Sequence, residues 1–577
     1  MDEKLSANDV SILLQSPTSG QMTRRHVLRT LAQTSLAVGS ASMIGGGLLT
    51  ACGGNDTTAA TEPVTLLLGD WPLKTSLLTS KAKPTDPDDV AELEIMHAWL
   101  ARNKNVTIKQ TAIDLTDPNA DQKLQAALAA RTCPSIVGTF QNKSLNRAAP
   151  KLKFAADVTE IYQQYNVDSL LADYARPYWK QIGNLDGKYY SLPGDGLTAG
   201  AGLYYRRDLL KAKGIADPQI GWTWNDLLGL LKQFQQDGKP VMGAPSYMFG
   251  YMLNSNLLDA HPNGVLGSIP APKKGWHWQI DSDPWLAEWE QVATAYRKAT
   301  LDDKLIEQNA TAYAWEGPAM GKFAAGQFPF SPGFAFQGTI TGYAPITPAE
   351  MPAKYGKTFD ELVGFVAYPK GSNGGYNPSI YGNLSGNVMF PHYLKPAALN
   401  KAVDLYLYRV YGDGYLNKYA RVYEQTKDPK TAYKFIAPAN RYQKNPKLPP
   451  NVTIENAYGP KWVQSYMDVI TKLTPMPVMQ VYFPADKQTG PTPTAHSDLL
   501  EKLSVSKVDV ATTVKAFQQT YNQQASSLTS DISSEDFIAG AKNYLAALDS
   551  FFKAHLPEFY AGDWTTYYHN HALPALS

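Results

Sequence analysis

From Val64 onward the chain alternates short apolar runs with segments of helical spacing. Val64-Thr65-Leu66-Leu67-Leu68 is an apolar run closed by Gly69, and it predicts a buried strand. Residues 90–101 carry Val90, Leu93, Met96 and Leu100 at roughly helical intervals, with Ile95 and Trp99 flanking that face. Val106, Ile108 and Ile113 mark a second strand-like segment. Asp121 to Arg131 is rich in Ala and Leu and reads as a helix that Pro134 stops. Ser135 to Phe140 then reads as a third strand. Strand, helix, strand, helix, strand is the order of parallel βαβ units. Ligands of such sheets sit outside the carboxyl ends of the strands. Asp70, Trp71, Phe140 and Gln141 are therefore the first candidate binding residues.

A second region begins after Pro193. Gly200 to Tyr205 is strand-like, and Asp208 to Lys213 is a short helix ended by Gly214. Thr223-Trp224-Asn225-Asp226 predicts a capping box, opening a helix with Leu227, Leu228, Leu231 and Phe234 on one face. Asp283-Pro284 opens another helix. Glu361 to Ala367 and Leu384 to Phe390 read as strands, and Leu399 to Tyr411 as an amphipathic helix. Residues 440–460 and 484–496 are rich in Pro, Asn and Thr and read as loops. Ser533-Ser534-Glu535-Asp536 is a further capping box before a helix carrying Phe537, Tyr544, Leu545, Leu548 and Phe552. Internal repeats are absent.

Residues 1–51 stand apart from this pattern. Arg24-Arg25 sits in a charged stretch, an uncharged run from Thr30 to Ala51 follows, and Leu49-Thr50-Ala51-Cys52 ends it. A charged segment, a modestly apolar segment and small residues before a cleavage point are the parts of an export signal. The order resembles a bacterial twin-arginine lipoprotein signal, which implies cleavage before Cys52 and lipidation of that residue. A transmembrane anchor is the competing reading, weakened by the Gly, Ser and Thr content of the run. Residues 52–62 read as a flexible tether.

Composition narrows the classes. Apolar residues make up 44% of the 577 and charged residues 18%, enough to bury a large core and too apolar for a disordered chain. The 53 basic and 52 acidic residues leave a formal charge of +1, so there is no global electrostatic reason to bind nucleic acid. Cys52 and Cys133 cannot build a disulfide framework or a four-ligand zinc site. Cys133 reads as a small buried hydrophobe.

Several of these pieces fall in a familiar order. Asp186-Gly187-Lys188-Tyr189-Tyr190-Ser191-Leu192-Pro193 is followed by Leu203-Tyr204-Tyr205-Arg206-Arg207-Asp208-Leu209-Leu210, then Lys213-Gly214-Ile215, then Thr223-Trp224-Asn225-Asp226-Leu227. Gln122-Lys123-Leu124 with Ala129-Ala130 and Pro134-Ser135, Phe323-Ala324-Ala325-Gly326, and Gly364 to Pro369 extend the series. The set resembles the signature of the family 1 extracellular solute-binding proteins, the carbohydrate-type receptors of ABC importers. It covers residues 62–415, and 495–530 loosely. Arg206 stands in place of the usual Asn, Asp226 in place of the usual Glu, and Gln327-Phe328-Pro329-Phe330 in place of small residues.

The resemblance implies an α/β fold of the periplasmic-binding-protein type, with two lobes, a hinge and a ligand cleft between them. Lobe 1 is expected over 63–193 plus about 372–415, lobe 2 over 194–371 plus about 416–534, and a helical extension over 535–577. The hinge crossings are expected near Leu192–Gly200 and Gly364–Gly374. The implied partners are a sugar or oligosaccharide, the permease subunits of an importer and, through the lipid, a membrane. A monomer without cofactor, metal or catalytic residue is expected, on the outer face of the cytoplasmic membrane.

A sugar presents C–H faces that stack on aromatic rings and hydroxyls that need paired donors and acceptors once desolvated. Beyond Asp70, Trp71, Phe140 and Gln141, the candidates for such contacts are Asp195 in the turn beside the hinge, Phe334 and Phe336, Tyr381 and Asn383 where the chain re-enters the first lobe, and Trp462. Trp224 reads as packing, and the Trp276-His277-Trp278 cluster as a surface or rim loop. Competing functions are a peptide receptor and a lipid-anchored glycan-cleaving enzyme. The sequence has no His-Glu-x-x-His pair and no Gly-x-Ser-x-Gly elbow. Gly317 to Lys322 is one residue short of a phosphate loop.

Overall fold

The computed structural model describes residues 62–70, 73–111, 126–138, 155–185, 187–194, 198–243, 268–282, 285–307, 316–370, 380–382, 387–433, 445–472, 477, 499, 501–503, 506–528 and 532–577. The strands used below are β1 (Val64–Leu68), β2 (Val106–Gln110), β3 (Val137–Gly138), β4 (Thr198–Arg206), β5 (Met242–Gly243), β6 (Ser268–Ala271), β7 (Gly275–Trp278), β8 (Ile306–Glu307), β9 (Phe330–Phe334), β10 (Val363–Ala367), β11 (Ile380–Gly382) and β12 (Val388–Met389). The helices are α1 (Pro87–Arg102), α2 (Trp224–Phe234), α3 (Trp285–Arg297), α4 (Gly317–Ala325), α5 (Pro396–Val410), α6 (Asp413–Thr426), α7 (Pro460–Lys472), α8 (Val510–Leu528) and α9 (Ser534–His555).

In the first lobe β1 and β2 pair in parallel from Val64↔Val106 to Leu68↔Gln110, with α1 as the crossover. The expected helix starts earlier than its apolar spacing suggested, because Asp86 caps it. The Asp86 carboxylate accepts from the Asp88 and Asp89 amides (2.9 and 3.2 Å), and Pro87 occupies the first turn. Trp99 buries its ring and donates to Asp404 (2.8 Å). The third strand is short, and β3 pairs antiparallel with β12, not in parallel with its predecessors. It is held beside β1 by the Ser135 amide, which donates to the Leu67 carbonyl (2.6 Å). Leu66, Leu68, Trp99, Ile136, Tyr162, Trp179, Leu192, Val388, Phe390, Val403 and Tyr406 form one core.

The second lobe is organised by β4, which runs through the middle of a sheet of order β8-β5-β9-β4-β10. β9 and β10 flank it antiparallel, with Phe334↔Ala201 and Val363↔Arg206 among the pairs. Alternation along β4 divides the lobe into two cores. Ala201, Leu203 and Tyr205 face one with α2, α3 and α8, and Tyr204 faces the other with α4 and α7. Gly364 is required by close approach: a Cβ there would lie 2.0 Å from the Tyr205 ring. The start of β4 pairs separately with β11, from Ile380↔Gly200 to Gly382↔Thr198. Lys370 still bridges to Thr223, and the rest of the expected return stretch, from 371, lies outside the described residues.

α6 spans the expected lobe boundary. Tyr415, Leu416 and Tyr419 enter the second-lobe core, while Lys418 and Arg421 turn to α1 of the first lobe. Lys418 Nζ lies 2.9 Å from Glu92, and Arg409 of α5 grips the same carboxylate through Nε and Nη2, both at 2.6 Å. Glu92 and Arg409 are buried.

Several expectations are corrected. Trp276-His277-Trp278 is not a surface loop but the strand β7 of a hairpin with β6, and both tryptophans are buried. Trp278 stacks on Tyr521 (4.1 Å), and Trp276 meets Tyr544 of α9 edge-on (6.0 Å). The 440–460 loop contains a helix, Ile454–Tyr458, because Thr453 Oγ1 accepts from the Asn456 amide. The strand expected from Glu361 starts at Val363, since Thr358 caps a short helix over Phe359–Leu362. Asp283-Pro284, 484–496 and Leu384 lie outside the described residues. The box at Thr223 forms as predicted: its hydroxyl accepts from the Asp226 amide (3.3 Å), and Asp226 accepts from the Thr223 amide (2.8 Å). The tail builds its own core from Phe537, Tyr544, Leu545, Leu548, Phe552, Trp564 and Tyr567, closed by Trp276.

Candidate functional site

The most developed aromatic surface among the candidates lies where β9 leaves the sheet. Phe334 ends the strand, and residues Ala335–Thr339 form a turn of 3-10 helix. Ala335, Gln337, Gly338 and Thr339 are buried, while Phe334 and Phe336 are half-buried. The two rings lie nearly parallel, 5.7 Å apart at 11°. A pair of aligned, partly exposed rings is a surface on which the apolar face of a ligand can stack.

The underside of this turn is locked by polar groups. The Tyr204 hydroxyl lies 2.8 Å from the Phe334 carbonyl and 2.7 Å from the Ala335 carbonyl, so its proton is shared between them, and it accepts from the Gly338 amide (2.8 Å). Burial pushes this phenol well above its ordinary range, which keeps it a donor. Gln337 Oε1 accepts from the Phe334 amide (2.8 Å), and its Nε2 donates to the Glu316 carboxyl at the start of α4. Tyr343 donates to the Gln337 carbonyl (3.0 Å). Glu316 is buried, and desolvation pushes its carboxyl up to about 7, the hydrogen bonds from its own backbone amide and from Gln337 only partly opposing that rise. Sequence reasoning missed Tyr204, Gln337 and Glu316. Their contacts join positions up to 134 residues apart, and no local pattern marks them.

The remaining candidates are dispersed in what they do. Asp70 accepts from the Ser76 amide (2.7 Å) and the Thr75 hydroxyl (3.2 Å), so its carboxylate fixes the turn after β1. Trp462 is 0% exposed, enclosed by Phe359, Tyr458 and Tyr466 in the second-lobe core, and offers no face to a ligand in this arrangement. Tyr381 is placed by its backbone, paired with Ala199 in β11. Trp71, Phe140, Gln141, Asp195, Asn383 and Cys52 lie outside the described residues. Trp224 packs as expected, stacked on Tyr296 at 4.4 Å. Cys133 is buried, and burial pushes its thiol up to about 12. Residues Gly317 to Lys322, one short of a phosphate loop, are the first turns of α4. Among the described residues no cluster of His, Cys, Asp and Glu could hold a metal ion, and no helix is long and apolar enough to cross a membrane.

No curated protein matches the chain. Among solved structures, a chitin oligosaccharide binding protein is 15% identical, with 80% of this chain and 99% of that one aligned at a TM-score of 0.50, a likeness of fold alone. UgpB from Mycobacterium tuberculosis, in complex with glycerophosphocholine, is 14% identical over 80% of this chain and 98% of its own, at 0.49. Residues 83–437, more than half of the length, match the bacterial extracellular solute-binding proteins. With the βαβ first lobe, the β4-centred second lobe and that match together, the chain belongs to the bacterial extracellular solute-binding protein family and has its two-lobed α/β fold.

Proposed function

We propose that this protein is the extracytoplasmic receptor of an ABC importer, taking up a sugar or oligosaccharide by closing its two lobes on it and handing it to membrane permease subunits. The observation that carries the reading is the half-buried Phe334–Phe336 pair on a turn whose other side chains are buried. The rings suit the C–H faces of a pyranose, and sugar recognition needs such a platform more than it needs charge. The near-neutral chain fits an uncharged ligand. The fold shared with a chitin oligosaccharide binding protein adds to it. Family members bind solutes outside the cytoplasm, which agrees with an export signal over 1–51 and lipidation at Cys52. Trp71, Phe140, Gln141, Asp195, Tyr381 and Asn383 remain proposed contributors, and the lobe limits expected from the sequence are proposed with them.

Calorimetry against mono- and oligosaccharides, chitin oligosaccharides among them, tests this. Reversible binding with the sugar recovered intact is expected. Phe334→Ala should weaken it about tenfold or more, the order of one lost stacking contact, with the fold intact. Binding of no sugar, conversion of the sugar to product, or unchanged affinity in Phe334→Ala would refute the reading of this site.

A further inference from the structure

Glu316 is a buried carboxyl that solute capture does not obviously need. It is 2% exposed, and among the described residues its carboxyl is held by its own backbone amide and by one other side chain, the Gln337 amide. A carboxyl in such a place is costly unless it holds something. What it holds is legible from the hydrogen bonds. Gln337 is a bridge with one end on Glu316 and the other on the Phe334 amide (2.8 Å). The Phe334 backbone is thereby tied through a single side chain to the first residue before α4. The packing leaves no slack: a Cβ at Gly333 would lie 2.9 Å from Gln337 Oε1 and 2.5 Å from the end of Met320.

We propose that Glu316 and Gln337 are positioning residues for the aromatic platform, holding Phe334 in the orientation that aligns it with Phe336, so that ligand affinity follows the state of the Glu316–Gln337 hydrogen bond. The affinity clause rests on the receptor reading above; the positioning clause does not. A protonated Glu316 lets its carbonyl oxygen accept from Gln337 at no electrostatic cost. An ionised one is a buried anion with only its own backbone amide and the Gln337 amide as donors, and it draws water or a rearrangement into the turn.

Among the described residues no cation offsets the burial of this carboxyl. β4 presents the neutral phenol of Tyr204, and the segment after the turn presents Tyr343. Glu350, on the short helix over Pro348–Glu350, acts with Glu316 on the Tyr343 phenol, and its carboxylate accepts from the Thr347 amide (2.8 Å). Lys322, two turns along α4, is paired with Glu307 (2.9 Å). Burial raises the carboxyl to about 7, so the change falls within an accessible pH range.

Two readouts on the full chain test this, with wild type, Glu316→Gln and Gln337→Ala. The first needs no ligand: hydrogen exchange of the peptide containing Phe334, corrected for the intrinsic pH dependence, between pH 5.5 and 8.5. Protection in wild type should fall about threefold to tenfold as pH passes 7, the weight of one hydrogen bond. Glu316→Gln keeps an amide–amide hydrogen bond and should stay flat across the same range. Gln337→Ala should be unprotected throughout, with the β4–β10 pairing unchanged. The second is calorimetry with the tightest sugar of the panel above, whose affinity should follow the same pH steps. A pH fall of equal size in Glu316→Gln, or a protected Phe334 amide in Gln337→Ala, overturns the proposal. If the exchange pattern appears and no sugar binds, the positioning stands and the receptor reading falls. If a sugar binds with the same pH profile in wild type and Glu316→Gln, the coupling to affinity is overturned.

Discussion

Replacing Glu92 with Gln removes the anion from a buried cluster whose cations remain. Desolvation alone would raise this carboxyl, but Arg409 and then Lys418 outweigh it and hold the folded pKa at about 2, against 4.5 for an unperturbed Glu. A lowered acid contributes stability that is complete above its unfolded pKa and is lost as pH falls through the folded one. The difference of roughly 2.5 units corresponds to about 3 kcal/mol at neutral pH, gone by about pH 2. Arg409 is 4% exposed and would be left without its anion, an error that costs about 3–5 kcal/mol in buried pairs. Urea unfolding at pH 7 should therefore show Glu92→Gln less stable by about 3–5 kcal/mol, and the deficit should shrink steadily between pH 5 and pH 2.5. Arg409→Met in the same background should recover part of it, because the orphaned charge goes too. A Glu92→Gln variant within about 0.5 kcal/mol of wild type at pH 7, or a deficit identical at pH 3 and pH 7, would show that the cluster is not the electrostatic anchor described.

Other expectations follow from single contacts. Glu316→Gln should be as stable as wild type near pH 4.5 and more stable above pH 7 by about 3 kcal/mol at most, because a raised acid loses its contribution as pH climbs toward 7; urea midpoints at pH 5 and 8.5 check the sign. Gly364→Ala should lower the unfolding free energy by about 1–3 kcal/mol, read as a lower urea midpoint with unchanged slope, since its Cβ meets the Tyr205 ring at 2.0 Å and Tyr205 is 1% exposed. Trp276→Ala should cost about 3–5 kcal/mol and raise hydrogen exchange across Ser534–His555, the helix it packs against, before that of β4.

What could be read from the sequence was mostly local. The caps at Thr223 and Ser533 formed where four-residue patterns placed them, because a cap needs only its own turn. The first βαβ unit was legible from apolar spacing for the same reason. The β6–β7 hairpin was not, since its tryptophans are buried only by Tyr521 and by Phe537 and Tyr544, more than 240 residues later. A loop-like composition with Pro and Lys describes the turn correctly and says nothing of what covers it. The helix at Ile454–Tyr458 was hidden by its Pro- and Asn-rich neighbours, although Thr453 supplied the cap. At the candidate site Phe334 and Phe336 were proposed from the family order, while the groups that hold their turn were not. Trp462 shows the converse: an aromatic in a plausible stretch that the fold encloses.

β4 carries a consequence for how force passes through the molecule. One uninterrupted nine-residue strand pairs with β9 and β10 along most of its length and with β11 at its first three residues. A one-residue slip against any partner would turn Tyr204 and Tyr205 to the wrong faces and bring Gly364 out from under the Tyr205 ring. Translation along the strand is therefore forbidden, and any relative displacement of its two ends has to be absorbed as torsion within the β4–β11 ribbon. Twist imposed at Gly200 and Ile380 arrives at Ala201, whose partner is Phe334, after a single residue.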